Sequence, residues 1–147
     1  MSVGKAICVF SLSKADMSFK FTVGINGAIK WLEGKRQAPH RYYFCVSKPK
    51  KGLAPGAIML FSFEGQIFGQ ATVSKGIQSM SSQGQPGTAA KSAGYKYYVT
   101  MDPSSIEVFR FHPTKEEISE QMDLRFAQLF TYIDSDQYLQ IIKMAKR

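Results

Sequence analysis

Residues 48–73 read KPKKGLAPGAIMLFSFEGQIFGQATV, and this stretch decides the fold class. Pro55-Gly56 is turn chemistry, AIMLFSF is an apolar, aromatic-rich run of strand length, Glu64-Gly65 is a tight hairpin dipeptide, and QIFGQATV is a returning strand. A β-hairpin is therefore predicted. Gly69 inside the second arm predicts a bulge or a place where another backbone passes close.

Outward from the hairpin the pattern stays mixed. On the N-terminal side, KAICVFSL (5–12) is a short apolar run with β-branched and aromatic residues and no helical spacing, which predicts a buried strand. Between Phe19 and Leu32 the apolar residues Val23, Ile25, Ala28, Ile29 and Leu32 follow helical spacing interrupted by Gly24 and Gly27, and Gly34 stops the helix. The basic loop KRQAPHR leads to RYYFCV, read as another strand. On the C-terminal side, residues 74–94 are mostly Ser, Gly, Gln and Ala with two lysines, no acid and no periodicity, which predicts a long loop that is either functional or disordered. YKYYVTM is a strand, Asp102-Pro103-Ser104-Ser105 a turn, and IEVFRFH a further strand placing Ile106, Val108, Phe109 and Phe111 mostly inward. PTKEEISEQM begins as helices begin, with Pro and then acids in the first turn. The last predicted helix takes Asp134 or Ser135 as its N-cap and carries a stripe of Tyr138, Ile141, Ile142 and Ala145. The sum is one α+β domain over residues 1–147, built on a curved, mostly antiparallel sheet of five or six strands flanked by helices.

Composition narrows the function. The chain has 147 residues, 44% hydrophobic and 20% charged, which is the balance of a folding globular domain. No run approaches the roughly 18 apolar residues of a membrane helix, and MSVGKAICVF lacks the order of a secretory signal, so a cytoplasmic location is expected. Cys8 and Cys45 each lie in an apolar run and read as reduced, buried residues. The net charge of +8 is regional: residues 1–101 hold 13 Lys and Arg against Asp16, Glu33 and Glu64, whereas residues 102–147 hold 6 against 8 acids. A one-sided positive field concentrates and steers a polyanion; the bland alternative is colloidal stability.

Signatures of catalysis are missing. Phosphate-binding glycine loops, the nucleophile elbow and metal-ligand spacings of His or Cys do not occur, so neither a metal nor a cofactor is expected. His40 and His112 are isolated, and the carboxylate pairs Glu116-Glu117 and Asp134/Asp136 are explained by helix starts. What is left is aromatic and basic. Trp31, the single tryptophan, stands shortly before Lys35-Arg36, where an indole could stack on a base while cations hold phosphate; alternatively Trp31 packs in the core beside Leu32. Lys48, Lys50 and Lys51 cluster around Pro49, Arg41 belongs to the basic loop, and Lys75 and Lys91 lie in the long loop, giving a set of candidate backbone contacts. Tyr95, Tyr97 and Tyr98 alternate as on a strand, leaving one face for packing and the other for stacking.

The order of these elements resembles the PUA-like superfamily, especially its YTH and EVE branches. LFSFEGQIFGQATV (60–73) is similar to the family's hairpin, VFSLSK (9–14) followed by Ile29-Lys30-Trp31 is similar to the YTH arrangement, and YYVTMDPSSIEVF with IDSDQYLQIIKM is similar to its later strands and final helix. The resemblance implies a small open barrel and a pocket for a modified, methylated base such as methyladenine. In it Trp31 would be a cage wall, edged by Ser11, Ser13 or Lys14. The family's second cage tryptophan has no counterpart here; the long loop offers Met80 and, at its far end, Tyr95. A methyl group suits such a pocket because it removes a donor and adds apolar area. The resemblance leaves DNA and RNA both open as partners. It also leaves open the recognition part of a modification-dependent restriction system, with a nuclease or NTPase as partner or fused domain. Two alternatives remain: an ASCH-like enzyme acting on RNA or a modified nucleoside, with Lys14, Thr22 and Glu64 as acid/base candidates, and a ribonucleoprotein interaction module.

Overall fold

The computed structural model describes residues 6–12, 24–37, 42–45, 53–79, 96–126 and 130–146. Its strands are β1 (Ile7–Leu12), β2 (Tyr42–Cys45), β3 (Ile58–Phe63), β4 (Gln66–Ser79), β5 (Tyr97–Met101), β6 (Glu107–Val108) and β7 (Phe130–Ile133), and its helices are α1 (Gly24–Gly34), α2 (Lys115–Gln121) and α3 (Ser135–Ala145). The strands form one open sheet in the order β2-β5-β4-β3-β1-β7, with β6 added to β4. β1 and β3 are parallel, and the other pairings between the named strands are antiparallel. The expected α+β class and mostly antiparallel sheet are observed, with seven strands instead of five or six.

The central strands read as near-continuous apolar runs because the sheet is covered on both faces. From β1, Cys8, Phe10 and Leu12 enter a cluster with Ala28, Trp31 and Leu32 of α1 and with Phe61, Phe63 and Phe68. The alternate residues Ile7 and Val9 face the other way and join Leu60, Ile67, Ile118 of α2 and Ile141 of α3. α1 therefore covers one face, and α2 and α3 cover the other.

The hairpin forms as its sequence predicts. β3 and β4 are joined by Glu64 and Gly65, both at positive φ (50° and 77°), as a type I′ turn requires. Gly69 meets both expectations placed on it. The β3–β4 register slips between Phe61 and Ser62, leaving Phe68 as the extra residue. A Cβ on Gly69 would also strike Leu32 Cδ2 and lie 2.7 Å from the Glu107 carbonyl oxygen, so α1 and β6 both press on this backbone.

Three expectations are corrected. Residues 74–79 continue β4 and pair with β5; pairing through backbone groups needs no apolar periodicity, so the side chains there did not announce a strand. Within IEVFRFH only Glu107 and Val108 are strand: Phe109 N bonds Phe68 O at 2.8 Å, Phe111 N turns to Ala145 O at 3.1 Å, and Phe111 ends 39% exposed. Phe130–Ile133 forms an edge strand on β1, where the sequence pattern shows only the approach to the following helix. That helix is capped as predicted, by Asp134, whose carboxylate accepts from Gln137 N at 2.8 Å. Cys8 is free and fully buried, and burial pushes its thiol up to about 12. The Cys45 side chain and the segments 13–23, 38–41, 46–52 and 80–95 lie outside the described residues.

Candidate nucleic-acid interface

Trp31 reaches the sheet because α1 presents one stripe, Gly27, Ala28, Trp31 and Leu32, to the core. The indole meets Tyr43 and Phe61 edge-to-face, with ring centroids 6.0 and 5.6 Å away, and Phe10 extends the aromatic group through Tyr43 at 5.1 Å. It is only 9% exposed, so much of it serves as core beside Leu32. One turn on, the Lys35 ammonium lies over the indole, 5.1 Å from the ring centroid, and donates to the Tyr42 carbonyl at 2.8 Å. Lys35 thus covers one face of Trp31 and ties α1 to β2.

Of the other residues singled out by sequence, Arg36 is half-exposed, 3.9 Å from Glu33, and reaches the Ile106 carbonyl at 3.5 Å. Lys75 is exposed on the second half of β4, opposite Thr100 of β5. Ser13, Lys14, Arg41, Lys48, Lys50, Lys51, Lys91, Tyr95, and also Met80 and Thr22, lie outside the described residues.

Ser11 is placed elsewhere than beside the indole. In β1 it follows Ile7 and Val9 in phase, so its side chain points to the face of α2 and α3, whereas Trp31 packs with Phe10 and Leu12. On that face the Ser11 hydroxyl accepts from Ser62 Oγ at 3.4 Å and from Lys115 Nζ at 3.2 Å. Ser11 and Ser62 stand opposite each other in the β1–β3 register. The Lys115 ammonium also lies 5.2 Å from the Phe126 ring centroid. Burial lowers its pKa, and the neighbouring Glu116 charge restores part of that shift. Sequence reading passed over Lys115 and Ser62. The signal for the serines was present, as the polar interruptions of ICVFSL and IMLFSF; Lys115 read simply as the start of a helix.

Glu64 occupies the hairpin tip in a left-handed conformation that Asn, Asp or Gly adopts more readily. Its Oε1 lies 3.9 Å from where a Cβ on Gly24 would stand, at the start of α1. Among the described residues no group of His, Cys, Asp and Glu could hold a metal ion, and no helix is long and apolar enough to cross a membrane.

No family model matches this chain, and no curated protein matches it. Solved structures do. The ASCH protein of Zymomonas mobilis superposes with a TM-score of 0.61 at 12% identity, covering 96% of both chains, and a point mutant of it gives 0.62 at 11% identity, covering 95% and 99%. Rpa0253 of Rhodopseudomonas palustris gives 0.58 at 9% identity, covering 95% of this chain and 92% of its own. At such identities the likeness is one of fold: the chain has the PUA-like fold of ASCH domains.

Proposed function

We propose that this PUA-like chain is a nucleic-acid-binding module that takes a modified base against the face of Trp31 that Lys35 covers. The observation that carries the proposal is the Lys35 ammonium held over the indole, 5.1 Å from its centroid, at the surface end of α1. A cation already parked on an aromatic face can exchange that place for a base and move to the adjoining phosphate, so stacking and charge neutralisation are supplied one helical turn apart. The concentration of positive charge in residues 1–101 supports the same reading. Lys48, Lys50 and Lys51, on the segment leading to β3, would add sequence-independent phosphate contacts.

The test is a binding panel of methylated and unmethylated DNA and RNA oligonucleotides with two variants. Trp31→Phe should lose most of the preference for the modified base while weak, salt-sensitive binding survives. Phe is chosen because Trp31→Ala would empty part of the core at about 3–5 kcal/mol and could unfold the protein. Replacing Lys48, Lys50 and Lys51 with Gln should weaken all oligonucleotides alike and leave the ratio intact. A folded Trp31→Phe protein that keeps full selectivity would refute the role given to the indole.

A second reading, an ASCH-like enzyme acting on RNA or a modified nucleoside, is favoured by Glu64. The turn requires positive φ at this position but not a glutamate, which adopts it less readily than Asn, Asp or Gly, and the choice of an acid there is what favours this reading. Glu64→Gln should abolish turnover under this reading and leave oligonucleotide binding unchanged under the first.

A further inference from the structure

We propose that Ser11, Ser62 and Lys115 form a binding site for a phosphate group, on the face of the sheet opposite Trp31. Taking that phosphate as part of a nucleic-acid strand rests on the function proposed above; the site itself rests on its own chemistry.

Three elements converge there: β1 supplies Ser11, β3 supplies Ser62, and Lys115 reaches in from α2. Ser11 Oγ lies 3.4 Å from Ser62 Oγ and 3.2 Å from Lys115 Nζ, and the lysine, which can only donate, gives it one hydrogen bond. Its own proton is free to turn toward Ser62 or toward a ligand. Ser62 beneath it is 1% exposed, whereas Ser11 is only partly buried, so Ser11 is the hydroxyl a ligand can reach.

Lys115 adds the charge. Its ammonium is partly desolvated between Ser11 and the Phe126 ring, yet the ion pairs among the described residues are Arg36–Glu33 and Lys146–Glu107, and neither involves it. A desolvated cation is ordinarily compensated by a paired anion; here the direct contacts are a neutral hydroxyl and a ring, and the Glu116 charge acts on the ammonium without an ion-pair contact. An ammonium beside a half-buried hydroxyl offers convergent donors, and no ion pair among the described residues occupies it. That set fits an oxyanion with several acceptor oxygens, and hydroxyl-plus-lysine pairs are a common way of holding phosphate.

Position links this site to the base pocket. Ser62 is the next residue after Phe61, whose ring packs 5.6 Å from Trp31, and successive strand residues face opposite sides. The two sites thus lie back to back across the ends of β1 and β3. A strand that inserts a base beside Trp31 can fold its adjoining backbone over the sheet end onto Ser11 and Lys115.

The experiment compares the full chain with Lys115→Met, Ser11→Ala and a charge control, exposed Lys143→Gln, by two measurements. The first is an NMR titration with inorganic phosphate at constant ionic strength, with acetate in parallel. Phosphate should shift the amides of Ser11, Ser62 and Lys115 in the parent and in Lys143→Gln but not in Lys115→Met. The second is oligonucleotide affinity against salt: Lys115→Met should bind roughly tenfold more weakly, with a log–log slope about 0.7 shallower on single strands. Ser11→Ala should lose part of that affinity at an unchanged slope. Thermal melts separate a structural role, since Lys115→Met should melt no lower than the parent if it removes a partly desolvated cation, and lower if the lysine merely holds α2 in place. Phosphate shifts without an oligonucleotide effect would assign the site to a free phosphate compound and overturn the strand contact. Absence of phosphate shifts in the parent, or shifts that acetate matches, would overturn the site. If the parent binds no oligonucleotide at all, the proposed function falls, and the phosphate titration still decides the site.

Discussion

Gly69 shows how much one missing side chain can carry. It lets Leu32 of α1 and the Glu107 backbone close onto the same point of β4, beside a bulge that reorients the strand. Leu32 could rotate away from a new methyl, but the Glu107 carbonyl belongs to a paired strand and cannot. Gly69→Ala should therefore destabilise the protein by roughly 1–3 kcal/mol, read as a fall in the denaturant midpoint with an unchanged slope. A stability equal to the parent's would mean that α1 and β6 do not close on β4 as described. The glycine was legible in the sequence, because a Gly inside an otherwise apolar strand asks for a close approach. Which element approaches was not, since α1 and β6 are far from it in the chain.

At the scale of elements, α3 is tied to the sheet by a run of polar groups. Tyr138 donates to Gln70 Oε1 at 2.7 Å, Gln70 Nε2 donates to Glu107 at 2.9 Å, and Lys146 pairs with the other Glu107 oxygen at 3.0 Å. Burial, the largest single influence on Glu107, pushes its carboxyl up, but the Gln70 bond and the bond and charge of Lys146 together outweigh it and leave its pKa below the ordinary value. A carboxyl depressed in the folded state stabilises the fold above its unfolded pKa, and that stabilisation is lost as pH falls through the folded pKa. Because Glu107 and Lys146 are 41% and 47% exposed, solvent screening keeps the effect below about 1 kcal/mol. Thermal melts from pH 6 down to roughly pH 3 should show a component of the acid-induced fall that Glu107→Gln removes. A variant whose acid profile overlays the parent's would show that the clasp contributes nothing. None of this pairing could be read from sequence, where Gln70 and Glu107 are ordinary polar positions and Tyr138 belongs to the apolar stripe of the last helix, on three different elements.

The whole molecule divides its charge along the chain and its chemistry across the sheet. The positive half, residues 1–101, includes α1, β4 and the approach to the hairpin, whereas residues 102–147 carry a slight negative excess and contribute Lys115 to the opposite face. Oligonucleotide binding should accordingly weaken with salt, each duplex phosphate neutralised adding about −0.9 to the slope of log K against log salt. Isothermal titrations between about 50 and 200 mM salt measure it, and an affinity that stays flat would remove phosphate contacts from the account.

The sequence by itself determined the hairpin with its two-residue turn, the glycine crossing, the Asp134 cap, and the α+β class with a mostly antiparallel sheet. Each of these is a local preference: turn geometry, capping and apolar runs act over a few residues and are written where they act. Local preference also singled out Trp31 and the basic residues by type. Tertiary structure decided what no window of residues contains: that the strand continues through 74–79 by pairing with β5, that Phe130–Ile133 closes the edge beside β1, and that Ser11 faces away from the tryptophan it was grouped with. That last separation follows from strand parity, which turns neighbouring side chains to opposite faces of the sheet; only after the faces were assigned could Ser11 meet Ser62 and a lysine 104 positions along the chain.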